Sequence, residues 1–261
     1  MANHARRMGN KVPEATVNFW IIKVLTTGMG ETASDLLARL FGPVPAVALG
    51  GLAFVVALAV QFALRRYAAW SYWTAVVMVS VFGTMAADTL HVGLGVPYAV
   101  SAPAFLLVLV AVFVLWYRSE RTLSVHAINS RRREAFYWAA VLATFALGTA
   151  AGDLTASAGL GYFGSAVLFA VAICVPAFAH RFAGLGAVAA FWTAYVLTRP
   201  LGASLADWMA DAHSRGGLGF GLEPVTVAWT FAILGFVGYA TATAATAPTP
   251  YEDEAVDGAA C

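Results

Sequence analysis

Four aspartates recur in this chain at one fixed distance from a tryptophan. Fifteen residues beyond Trp20, Trp73, Trp138 and Trp192 stand Asp35, Asp88, Asp153 and Asp207. Carboxylates gathered at one level can bind a cation, or share and relay protons. On an α-helix, positions four apart stay close to one face. Offsets 3, 7, 11 and 15 from each tryptophan therefore form a stripe. It reads Lys23, Thr27, Glu31, Asp35 in the first copy and Val76, Ser80, Thr84, Asp88 in the second. The third gives Val141, Phe145, Thr149, Asp153, and the fourth Tyr195, Arg199, Ala203, Asp207.

Glu31, Asp35, Asp88, Asp153, Asp207, Arg199 and Lys23 are the candidates for binding a ligand or ion, or for relaying protons. Five carboxylates face two cations. Arg199 costs about 2.5–3.5 kcal/mol or more to place in a bilayer centre, so it calls for a partner or water. Pro200 beside it lacks an amide, and a helix break next to a charge points to a binding site. Two readings of the aspartates stay open: a cation or proton site, or a cap on each helix that ties down the following hairpin. Lys23 has two readings as well, a functional one and snorkelling to a membrane face. The tryptophans read as interface anchors. His91 and His213 fall on the outer side soon after repeat aspartates, and either could join a metal site; which metal is unknown, and no cofactor is implied.

These residues must be carried by elements suited to lipid. Of 261 residues, 61% are hydrophobic and 11% charged, far too apolar for an ordinary soluble domain. Spans of about 20 apolar residues are predicted near 15–38, 44–64, 69–91, 97–117, 135–157, 161–180, 185–210 and 224–246. Arg6, Arg7, Lys11, Arg65, Arg66, Arg118, Arg121, Arg131, Arg132, Arg133 and Arg181 fall on one side of these spans. The opposite loops hold Arg39 and Arg215, so both termini are expected in the cytoplasm and the chain in a bacterial inner membrane. Residues 1–14 read as a cytoplasmic segment, 118–134 as a basic loop and 247–261 as an acidic, disordered tail. The apolar stretch after the basic start has no convincing cleavage site and is expected to stay as the first span. Cys174 and Cys261 make no disulfide framework. The lipid bilayer is the partner this composition demands; nothing in it points to nucleic acid, and oligomeric state is not legible.

The copies extend beyond the aspartates. Ten residues after each tryptophan stands a glycine (Gly30, Gly83, Gly148, Gly202), and fourteen after it a small residue (Ser34, Ala87, Gly152, Ala206). Such small-xxx-small pairs let helix backbones approach closely in lipid, where apolarity alone drives no association. The membrane domain, 15–246, thus divides into repeats at about 15–66, 67–117, 135–181 and 185–246. The anchors are 53, 65 and 54 residues apart, and the longer middle step suggests two halves of four spans. The expected fold is all-α and polytopic: eight transmembrane helices from four parallel two-helix repeats. The polar odd-numbered helices lie inside, and the Val- and Leu-rich even-numbered ones form the coat.

The stretches Gly-Glu-Thr-Ala-Ser-Asp (30–35), Gly-Thr-Ala-Ala-Gly-Asp (148–153) and Thr-Arg-Pro-Leu-Gly-Ala-Ser-Leu-Ala-Asp (198–207) resemble a bacterial membrane-protein family defined by a tandem repeat of unknown function. In that family four copies each contribute two spans and a tryptophan. The resemblance covers roughly 13–245 and implies fold and location without an activity. The residues themselves suggest a small transporter or exporter of a cation or proton-coupled solute. A membrane-embedded enzyme is the alternative, although Gly-x-Ser-x-Gly, His-Glu-x-x-His and Gly-x-Gly-Asp motifs are all missing. A scaffold subunit acting through the basic loop and the acidic tail is the third reading.

Overall fold

A segment in hydrocarbon finds no water for its backbone and must satisfy its amides internally. The computed structural model describes residues 9–246, and among them every regular element is a helix. In chain order these are α1 (Val17–Phe41), α2 (Pro43–Ala63), α3 (Ala69–Asp88), α4 (Tyr98–Glu120) and α5 (Arg131–Thr155). They continue with α6 (Gly161–Ala172), α7 (Cys174–Phe182), α8 (Ala187–Ala210) and α9 (Leu222–Thr246). Wider π-helical turns, Thr89–Gly93 and Ala156–Leu160, extend α3 and α5. Arg6, Arg7 and the acidic tail lie outside the described residues.

Local chemistry sets the ends. The Thr16 hydroxyl accepts from the Phe19 amide at the start of α1, and Ser130 caps α5 through the Arg133 amide, each at 3.3 Å. Gly42, at φ 83°, turns α1 directly into α2, whose first residue is Pro43. Gly159, at φ 109°, breaks the helical run Arg131–Phe182, which at 52 residues is far longer than one bilayer crossing.

Five helical stretches are long and apolar enough to cross a membrane: α2, α3 with its π-turn, α4, the α5–α7 run and α9. The chain is a multi-pass helical membrane protein. α1 and α8 are not among the five, because Lys23, Glu31 and Asp35 in one, and Arg199 and Asp207 in the other, make them more polar.

Those polar helices are the ones inside. α1, α3, α5 and α8 stand side by side in a closed ring, α1 touching α3, α3 touching α5, α5 touching α8 and α8 returning to α1. The outer helices follow the same rule with one step of offset. α2 packs chiefly on α3, α4 on α5, α6 and α7 on α8, and α9 on α1. The longer connection between the second and third copies leaves the ring closed, because α3 packs directly on α5. The extra length between them is an excursion, Arg121–Ser130, that returns the chain to the same ring.

One contact repeats around it. Gly30 lies against Ser80, Gly83 against Phe145, Gly148 against Arg199, and Gly202 against Thr27. Each is the offset-10 glycine of one copy facing the offset-7 residue of the next, and the last pair closes the circle. Outward, α2 and α4 expose Leu52, Val55, Leu107 and Leu115, the surface a bilayer would cover.

Candidate functional site

The stripe of every inner helix points at the ring axis, so the four copies build it in layers. Lowest is an aromatic layer. Trp73, Trp138 and Trp192 are buried and Trp20 half-buried, together with Phe19, Tyr72, Tyr137 and Phe191 from the preceding position. The tryptophans are therefore not lipid-facing interface anchors. They pack on one another's aromatic neighbours, as in the Phe19–Trp73 and Tyr72–Trp138 contacts. The Tyr72 and Tyr137 hydroxyls lie 2.6 Å apart. Trp192 Nε1 donates to the Leu123 carbonyl at 2.9 Å, anchoring the middle loop. Trp192→Phe leaves that carbonyl without its donor and is expected to cost about 1 kcal/mol. A lowered unfolding midpoint in detergent, with the exposed Trp70→Phe unchanged, is the check.

One turn higher sit Lys23, Val76, Val141 and Tyr195, all fully buried. Lys23 does not snorkel. Its Nζ lies 4.0 Å from the centre of the Phe145 ring and 4.2 Å from that of Tyr195, with no hydrogen-bond partner among the described residues. Ring faces carry partial negative charge and stabilise a cation there.

Above this lies the charged centre. Arg199, 0% exposed, extends from α8 onto the axis, where all three other copies meet it. Nη2 donates to Glu31 Oε2 at 2.6 Å, to Thr149 Oγ1 at 2.6 Å, and to Thr84 Oγ1. Nη1 donates to the Thr27 carbonyl at 3.1 Å. Thr84 and Thr149 also donate to Glu31 Oε2, each at 3.4 Å. Pro200 does not break the helix. α8 continues through it, with the ring packed on Gly148 of α5.

The aspartates form the uppermost layer. Asp35, Asp88, Asp153 and Asp207 are half-buried and line one cavity of about 570 Å³ with Glu31. None receives a hydrogen bond from a hairpin amide among the described residues, so the capping reading finds no contact to rest on. Tyr98 and Tyr162 line the same cavity as Asp153 and Asp207. The cavity opens at the end where the inner helices finish and the outer helices that follow them begin, opposite the arginine-rich loops. His91 and His213 do not line the cavity; they bond the carbonyls of Val96 and Gly217 in their own turns, and His91 stacks on Tyr98 at 3.6 Å.

Several of these residues escape a reading of the sequence. Thr84 and Thr149 share offset 11 with Glu31, and that coincidence is a usable signal. Tyr98 and Tyr162 come from even helices, ten and nine residues beyond a repeat aspartate. At the opposite end of the ring, Lys11 Nζ pairs with Glu134 Oε2 at 2.6 Å and bonds the Gln61 carbonyl at 3.2 Å. That fully buried clamp joins residues 123 apart in sequence, and no local pattern announces it.

The model of a family described as Repeat of Unknown Function (DUF347) matches four successive segments, residues 18–67, 71–122, 136–184 and 190–246. No curated protein and no solved structure matches the chain.

Proposed function

The chain belongs to the DUF347 repeat family, and from that premise we propose that it is a transporter of cationic solutes, crossing the bacterial inner membrane eight times. One observation carries this reading: four carboxylates, one from each copy, surround a single cavity directly above a buried Glu31–Arg199 pair on the axis. The arginine-bearing loops support cytoplasmic termini, and the cavity then faces outward. A cation drawn among the aspartates competes with Arg199 for Glu31. Release of Arg199 frees the guanidinium that blocks the axis, which links occupancy to opening. Protons held by the same carboxylates offer a coupling ion.

Proteoliposomes loaded with a pH-sensitive dye test this, with sodium, potassium, magnesium, manganese and small alkylammonium chlorides added outside in turn. At least one cation is expected to drive a proton flux that falls at least tenfold in Asp88→Asn/Asp153→Asn. Undiminished flux in the doubly substituted, well-folded protein would overturn the proposal.

A further inference from the structure

A metal ion is held by oxygens converging at about 2.0–2.6 Å. Among the described residues no three His, Cys, Asp or Glu side chains group closely enough to do so. The aspartates stand around a space, not around a point. That space, about 570 Å³, falls in the range of roughly 300–1,000 Å³ typical of small-molecule sites.

Its walls are chemically unequal. Beside the carboxylates contributed by all four copies, Val44, Val47, Met85 and Val92 give the lining an apolar share. The floor holds polar groups that the protein leaves unmatched. Glu31, 4% exposed, engages Arg199, Thr84 and Thr149 through Oε2 alone, and Oε1 accepts no hydrogen bond among the described residues. Ser34, 1% exposed, also lines the cavity, and its hydroxyl has no partner there. Neither atom is sealed from the cavity its residue lines, so an acceptor oxygen and a hydroxyl with no protein partner stand ready for a ligand that supplies donors.

We infer that the cavity binds an organic cation with an apolar body. Its ammonium or amidinium head sits at Glu31 and Ser34 among the aspartates, and its body lies along Val47 and Met85. The inference takes its site from the transport reading, but it concerns binding and needs no flux.

Phenethylammonium is the probe, titrated into the full-length protein in detergent and read by thermal unfolding and calorimetry. It is expected to bind saturably, at least tenfold tighter than methylammonium and than neutral 2-phenylethanol. Magnesium, manganese and sodium at matched ionic strength should give no comparable shift. Asp88→Asn should weaken phenethylammonium at least tenfold. Val47→Thr, a near-isosteric change at the rim, should weaken phenethylammonium several-fold and leave methylammonium unaltered, which keeps the test decisive even if Asp88→Asn fails to fold. A response to metal ions equal to that of the probe, equal binding of 2-phenylethanol, or no binding at all overturns the inference. Binding without any flux in proteoliposomes preserves it and overturns the transport reading. Flux of inorganic cations without phenethylammonium binding does the reverse.

Discussion

Arg199→Leu is expected to destabilise the protein by about 3–5 kcal/mol, the range for breaking a buried ion pair from one side. The loss comes from what remains. Glu31 keeps its position on the axis without a cation, and the Thr84 and Thr149 hydroxyls lose the nitrogen that gathers them. Adding Glu31→Gln to Arg199→Leu should recover most of the loss, because the uncompensated charge goes with it. Arg199→Lys should recover little, since one ammonium cannot present the two-nitrogen fork that reaches Thr27, Glu31, Thr84 and Thr149 together. A double-substitution cycle in detergent, followed by unfolding midpoints, reads this coupling. Additive single effects would show that the pair does not act as a unit.

The second large effect is expected at the closure of the ring. Gly202→Leu inserts a side chain where Thr27 and the backbone of Gly28 in the first copy already stand; the Gly28 amide nitrogen lies 3.0 Å from the point its Cβ would occupy. Overpacking a tight core costs about 1–3 kcal/mol and sometimes more, and here backbone must move as well as side chain. The loss should reach or exceed the top of that range and lower the yield of folded protein. Gly235→Ala on α9, where nothing lies within 4 Å, should leave the midpoint unchanged. Equal tolerance at the two positions, measured by monodisperse yield and unfolding midpoint, would contradict a ring held by glycine contacts.

Much of this architecture is written in the chain at short range. The stripe at offsets 3, 7, 11 and 15 is legible because one helix fixes the angular relation of its own residues. All twelve residues at offsets 3, 7 and 11 are buried around the axis, and the four aspartates line the cavity above them. What the stripe could not disclose is its partner. That Gly30 meets Ser80 and Gly202 meets Thr27 depends on the translation of one helix against another, which no intrahelical period encodes. Lys23 is ambiguous in the sequence for the same reason. Its own helix allows the long side chain to reach a membrane face, and only Phe145 and Tyr195, from two other copies, hold it at the centre. The tryptophans mislead because indole suits both an interface and an aromatic core, and only their neighbours across the ring decide which.

The ring of four like copies also bears on stoichiometry. Were the two-helix unit a separate chain assembling as a tetramer, any residue at the axis would appear four times. Four guanidiniums at the place of Arg199 would repel one another in a medium that screens them poorly. Joining the copies in one polypeptide allows a composition at the axis that rotational symmetry forbids: one arginine, one glutamate, two threonines and an alanine. Covalent linkage here permits an odd, unequal set of charges at the one place where every copy meets, while the aspartates above keep their fourfold count.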